Sequence, residues 1–477
     1  MKSSLKLNYL YNLLYRVVTL VTPLITAPYI SRVLGAEGIG QYSYTYAVSH
    51  YFLIFAELGV SDYGNREIAK VRDNVIERNK IFNEIFSLQV LLSIVISVLY
   101  FAYAWLLADF KMLVYMQGLN VLSAFFDITW VLFGMELFLA TTIRNIFVKI
   151  ASVVMVIVFV NTPNDVWIYT IIMAAGTLIG QISVWPILCK YMKFSPAKFQ
   201  DIIKHLKPNL ILFLPVVANN LLGYFDKIMI GKMSGDAELG CYDNAEKLLS
   251  IPNSLVTALG TVMLPRVSNS VALGQKEKVK NMTQKSMLFV LFATNALAFG
   301  ISAVSEEFVP FFFGPGFELV IPLIYILASY IVFVSWSNVL KTQCLLPNNK
   351  DKIFVVCLIT GAVLNVVLNA ALIPKYGSVG AAVATTLSEF LIAIMETISI
   401  SEEIELKKYI EQGVPFICFG VIMFMSIYWI KCTNVLITVI VKICLGASIY
   451  LLCSTIYIFF NHKDVWKSLV HKRRHNL

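Results

Sequence analysis

The chain has 477 residues, of which 58% are hydrophobic and only 14% charged, and its mean hydropathy is +0.74. This balance excludes an ordinary soluble domain and leaves an integral membrane protein. A net charge of +9 would suit nucleic acid, but the cations sit on short links between apolar runs, where they orient a protein in the bilayer, so no nucleic-acid partner is expected.

Runs of about 20 apolar residues, long enough to cross the hydrocarbon layer, recur along the whole chain. They fall near 10–34, 38–61, 81–107, 112–134, 145–161, 166–189, 209–231, 237–262, 286–304, 319–340, 353–373, 377–398, 413–430 and 434–460. With the N-terminus inside, the inner segments hold 28 of the 38 Lys and Arg residues and the outer links hold five. Both termini are therefore expected in the cytoplasm. The link 62–80 alternates Arg, Lys and Glu and reads as an amphipathic helix on the inner leaflet. The eight cysteines are scattered with no Cys-x-x-Cys pair, so neither a disulfide framework nor a metal site is indicated.

The stretch Ile30 to Tyr42, ISRVLGAEGIGQY, returns as IGKMSGDAELGCY at Ile230 to Tyr242. At this offset of 200, Gly35 meets Gly235, Gly40 meets Gly240 and Arg32 meets Lys232. Glycine at two fixed positions implies the same backbone demands in both copies. After an insertion, Trp130 through Asn145 lies over Trp336 through Asp351 at an offset of 206. The expected fold is an all-α polytopic membrane protein of about 14 transmembrane helices, arranged as two pseudo-symmetric six-helix bundles plus two C-terminal helices. The corresponding divisions are 1–200, 201–400 and 401–477, the last comprising two further spans and a basic tail.

A charge at mid-bilayer costs about 2.5–3.5 kcal/mol on insertion scales, so each one needs a partner or a wet cavity. The first span carries Asn12, Arg16, Thr19, Pro23 and Thr26 at helical steps, and the prolines are expected to bend it. The matching seventh span carries Pro215, Asn219, Asn220, Asp226 and Lys227. The eighth presents Asp243, Glu246, Lys247, Ser250, Asn253, Ser254, Thr257 and Thr261 on one broad face, which has to avoid lipid. Its counterpart has Tyr42, Thr45, Tyr46, Ser49 and His50. For Asp226, Lys227, Glu246 and Lys247, pairing between helices competes with a role in transport. The aromatic excess is read mostly as packing and interfacial belts.

Several patches carry a resemblance: TAPYISRVLGAEGIGQYSYTYAV (26–48), ELGVSDYGNREIAK (57–70), FDITWVLFGMELFLATTIRN (126–145), YFDKIMIGKMSG (224–235), VMLPRVSN (262–269) and IPKYGSVGAAVATTLSE (373–389). Together and in this order they resemble the polysaccharide transporter family. These are flippases for lipid-linked O-antigen or capsule repeat units, in a superfamily that also holds multidrug and toxin extrusion antiporters and lipid II flippases.

The resemblance implies an alternating-access carrier in the bacterial plasma membrane. Its implied cargo is an undecaprenyl-pyrophosphate-linked glycan, released outside to polysaccharide polymerase machinery. A diphosphate needs fixed cations, for which Arg offers a planar fork and Lys a point charge. The residues expected to bind substrate are Arg16, Lys227 and Lys247 within the membrane, Arg144, Lys149 and Arg266 at the inner mouth, and Asn219 and Asn220 on the polar seventh span. Asp226, Asp243 and Glu246 are the candidates for coupling to H+ or Na+. No cofactor is expected. Lipid II flipping and drug or cation antiport are the alternative readings. A membrane glycosyltransferase or polymerase is disfavoured, because no Asp-x-Asp pair, nucleophile motif or large soluble loop is present.

Overall fold

The computed structural model describes the backbone of residues 5–401 and 405–461, with side chains from residue 22 onward in those stretches. The side chain of Arg16 and the basic tail around Lys472 lie outside the described residues.

All regular structure among the described residues is helical. In chain order the helices are α1 (Leu5–Glu57), α2 (Val60–Lys70), α3 (Val75–Leu106), α4 (Lys111–Ser123), α5 (Thr129–Gly134), α6 (Phe138–Phe159), α7 (Val166–Ser183), α8 (Trp185–Tyr191), α9 (Phe199–Ile203), α10 (Leu206–Asn220), α11 (Asp226–Met233), α12 (Asp236–Ala272), α13 (Lys276–Phe313), α14 (Val320–Leu340), α15 (Asp351–Ser399), α16 (Leu406–Tyr428) and α17 (Val435–Asn461). A π-helical turn, Leu221–Phe225, joins α10 to α11, and another, Lys341–Leu345, ends α14. Among the described residues, 11 helical segments are long and apolar enough to cross a membrane. The chain is an all-α polytopic membrane protein. It divides into two compact units, Met1–Asp243 and Asn244–Leu477, with the division inside α12.

Two long helices each run through two of the apolar runs. α1 keeps helical dihedrals through Pro23 and Pro28 and departs from them at Gly35, with φ 69° and ψ 179°. α15 does so at Gly377, with φ 59°.

In the first unit α1 packs against α3, α4, α6, α7 and α11, and α4 packs against α7. Its core gathers Phe82, Ile85, Ile128, Trp130, Val131, Leu132 and Leu188. The patch FDITW is there for a physical reason. The helix breaks after Phe126, and the Asp127 carboxylate fixes the turn that follows by accepting from the Thr129 N–H at 2.9 Å and from its hydroxyl at 2.6 Å. Gln89 then satisfies the freed carbonyls of Ala124 and Asp127 and accepts from Trp130 Nε1 at 3.0 Å.

The stretch 62–80 is not one surface helix. Helix α2 stops at Lys70, and α3 starts at Val75 because Asn74 caps it, accepting from the Glu77 N–H at 3.2 Å.

The duplicated links meet inside this unit. Gly35 and Gly235 both have positive φ, 69° and 97°. A side chain at Gly40 would collide with the Asp236 carbonyl, and one at Gly240 would collide with the Ala36 carbonyl. Ala36 and Asp236 occupy the same place in the repeat, so the two copies cross backbone to backbone in a reciprocal manner.

In the second unit α13 packs on α14, α16 and α17, and α14 packs on α15. Met287, Leu288, Leu291, Tyr409, Phe416, Met423 and Tyr450 form the core. Of the two helices outside the repeat, α17 is fastened by polar groups as well. Lys442, fully buried, places Nζ 2.7 Å from both oxygens of Glu307 and 3.3 Å from the Ala303 carbonyl. Tyr450 donates to the Phe292 carbonyl at 2.8 Å.

Candidate functional site

In the first unit, α1, α6 and α7 enclose a cavity of about 330 Å³. Thr22 and Thr26 of α1, Arg144, Asn145, Lys149 and Ser152 of α6, and Tyr169 and Gln181 of α7 supply its polar lining. Arg144 is splayed between two amides, Nη1 donating to Gln181 Oε1 at 2.7 Å while Nε and Nη2 donate to Asn145 Oδ1 at 2.9 and 2.7 Å. These bonds hold the planar guanidinium in a fixed orientation against the cavity. Lys149, half-buried one turn further on, forms no ion pair among the described residues. The cavity thus brings Arg144 and Lys149 together with hydroxyls and amides, side-chain chemistry of the kind that can hold an anion with hydroxyl-rich substituents.

An aromatic track leads from this cavity. Tyr169 meets Tyr42 at 4.5 Å between ring centroids, Tyr42 stacks on Tyr46 at 5.9 Å, Tyr46 stacks on His50 at 5.7 Å, and His50 meets Tyr224 at 4.2 Å. Tyr224 belongs to the π-helical turn, and such turns recur at functional positions.

At the far end of the track the polar residues of the seventh span come together. His50 Nε2 lies 3.3 Å from Asn220 Oδ1, and the Tyr51 hydroxyl donates to the Asn220 carbonyl at 2.9 Å. Lys227 Nζ is 2.5 Å from Asp243 Oδ1 and 5.7 Å from the centre of the Tyr224 ring. The Tyr242 hydroxyl donates to Asp226 Oδ2 at 3.2 Å. Lys227 and Asp243 are thus each other's counter-charge, and Asp226 is buried beneath a tyrosine.

Asn219 is exposed on α10. In the second unit Glu246 and Lys247 are half-buried on α12, and Arg266 is exposed near its end. The hydroxyl row of α12 is tolerated because each group bonds back to its own helix: Ser250 to Lys247, Ser254 to Ile251, Thr257 to Asn253 and Thr261 to Thr257, all carbonyls.

The sequence places Tyr42, Tyr46 and His50 on one face that has to avoid lipid but does not join them to Tyr169 and Tyr224 in a track. The signal was there in Tyr42, Tyr46 and His50 at four-residue steps on one helical face. Tyr169 and Gln181 gave none, because only the packing of α7 on α6 brings them to the cavity.

A family model described as polysaccharide biosynthesis protein matches residues 5–271, and one described as MatE matches residues 212–371. Over 396 residues the chain is 22% identical to the putative O-antigen transporter of Escherichia coli K12, using 82% of its own length and 95% of that protein's. Over 195 residues it is 26% identical to the probable low-salt glycan biosynthesis flippase of Haloferax volcanii, 40% of this chain and 41% of that one. Its fold is similar to that of a lipid II flippase solved in an inward closed conformation, with a TM-score of 0.75 at 16% identity, covering 95% of this chain and 98% of the other.

Proposed function

The chain belongs to the polysaccharide biosynthesis protein family, whose pattern runs through residues 5–271, and from that premise we propose that it flips a lipid-linked glycan between membrane leaflets by alternating access. It is a transporter rather than an enzyme. The cargo assigned to it is an undecaprenyl-pyrophosphate-linked repeat unit, taken up at the cytoplasmic leaflet of the bacterial plasma membrane and handed to polymerising machinery outside.

The observation that carries this reading is the cationic cavity of α1, α6 and α7 with its aromatic exit. Arg144 and Lys149 suit a diphosphate, one as a fork and the other as a point charge. The hydroxyls of Thr22, Thr26, Ser152 and Tyr169 suit the sugars. The ring faces of Tyr42, Tyr46 and Tyr224 offer a pyranose a flat, amphipathic surface. A prenyl tail has no need to enter this chamber, since lipid solvates it already. The reciprocal crossing at Gly40 and Gly240 supports a closure at one end, which must part for the head to leave on that side.

Deletion of the gene tests the reading. Lipid-linked repeat units are expected to accumulate on the cytoplasmic leaflet while surface polysaccharide disappears, with rescue by the wild type but not by Lys149→Ala at equal protein level. Undiminished surface polysaccharide in the deletion strain refutes it.

A further inference from the structure

A second group of ionisable residues lies inside the second unit, remote in sequence from everything assigned above. α14 ends in the π-helical turn Lys341–Leu345, which packs on α15. Just before that turn, Trp336 Nε1 donates to Thr397 Oγ1 at 2.9 Å, and Ser337 Oγ donates to Glu396 Oε2 at 2.7 Å. These bonds pin Glu396 against α14. Glu396 is fully buried, and its other oxygen, Oε1, meets no hydrogen-bond partner among the described residues.

The charged and titratable groups that interact electrostatically with Glu396 are Lys341 from the turn and Glu389 and Cys357 from α15. Lys341 does not close an ion pair with either carboxylate among the described residues. Its ammonium sits over the Phe354 ring, 4.5 Å from the centroid, within electrostatic reach of both Glu389 and Glu396.

Lys341 is thus a cation within electrostatic reach of two carboxylates. Fully ionised, the group would carry an uncompensated negative charge within an apolar span, which is the costliest arrangement available. One added positive charge makes it neutral. A metal ion would need several oxygens converging on one point, and no group of three or more His, Cys, Asp or Glu side chains converges among the described residues. A proton needs only one lone pair, and Glu396 Oε1 has one to spare.

We propose that Lys341, Glu389 and Glu396 form a proton-binding site in the second unit, in which Lys341 neutralises Glu389 and Glu396 Oε1 takes up one proton from water and returns it. The step is a carboxylate plus a proton giving a carboxylic acid, and nothing else is consumed. Occupancy of the site stands on the burial of Glu396, its bond to Ser337 and its unpartnered Oε1. Its use to drive the carrier rests on the transport reading above.

Infrared difference spectra of the full-length protein in lipid nanodiscs test this. The wild type should show a carboxylic-acid carbonyl band that fades as pH is raised. The band should vanish in Glu396→Gln and, in Glu389→Gln, fade at lower pH than in the wild type, because Lys341 is then left to Glu396 alone. In Lys341→Gln, where both carboxylates lack a counter-charge, it should roughly double. Absence of any pH-dependent acid band, a band unchanged in Glu396→Gln, or a band abolished by sodium chloride at fixed pH overturns the proposal. If Glu396→Gln does not fold, N,N′-dicyclohexylcarbodiimide labelling of the wild type decides by peptide mass spectrometry. Label on Glu396 that falls with rising pH supports the site, and an unlabelled Glu396 removes it. An acid band that behaves as expected in a strain with no glycan defect would leave the site standing and refute the transport function instead.

Discussion

Lys149 shows how much of a binding residue is legible before folding. Its charge inside the apolar run 145–161 already marks it as needing water or a partner. Only the packing of α6 against α7 shows that it shares a cavity with Arg144 and Gln181. A charge-assisted hydrogen bond is worth about 1.5–3 kcal/mol, or roughly 10- to 150-fold in affinity. Lys149→Ala should therefore raise the half-saturating concentration of lipid-linked glycan by about that factor in proteoliposome flipping, and Lys149→Arg should recover most of it. The tyrosines act through their faces. Loss of an aromatic contact worth about 0.5–1.5 kcal/mol predicts roughly a 2- to 12-fold loss for Tyr46→Ala, with Tyr46→Phe near wild type in the same assay. Lys227 is the opposite case. Its expected roles are substrate binding or pairing between helices, and the partner it meets is Asp243, 16 residues away across the Gly235 link. No periodicity within one helix announces such a pair.

Elements were readable wherever glycine, proline or an acid punctuates the chain. The matched Gly35 and Gly235 marked two equivalent links, and both have the positive φ that glycine alone adopts without strain. The second matched pair, Gly40 and Gly240, has a reason that no single copy reveals: each makes room for the carbonyl of the other copy. Gly240→Val should therefore drive the two backbones apart, and a large loss of monodisperse protein on size-exclusion chromatography is expected. Val substituted for exposed Gly274, which has open space around it but a positive φ of 67°, should cost only the local strain, about 1–3 kcal/mol. The attachment of α17 is a second case. Its lysine was visible as a charge within a span, whereas Glu307 lies 135 residues earlier in α13. Breaking a buried ion pair costs about 3–5 kcal/mol, while replacing both partners with apolar groups is often neutral. Lys442→Met alone should lower the melting temperature in detergent, and Lys442→Met combined with Glu307→Leu should restore most of it.

At the scale of the whole molecule, the link before α16 carries a pH-dependent fastening. Lys280 and Lys408 hydrogen-bond the Glu405 carboxylate, with ion-pair distances of 3.0 and 3.1 Å, and hold it below the usual glutamate range. A carboxyl depressed by folding stabilises fully above its ordinary value, about 4.3, and loses that contribution as pH falls through the lower folded value. Thermal midpoints measured from neutral pH down into that acid range should accordingly fall less steeply in Glu405→Gln than in the wild type. The effect is expected to be small, because solvent screens an exposed pair. The sequence by itself determined that this is a polytopic helical membrane protein with an internal duplication and buried charges, because hydrophobic length, glycine demands and the cost of charge in lipid act locally along the chain. Tertiary structure alone decided which charges neutralise one another, which line a cavity, and that tyrosines from three helices join in one track. Those outcomes depend on distances between residues far apart in the chain, and helix packing sets such distances after every local preference has been met.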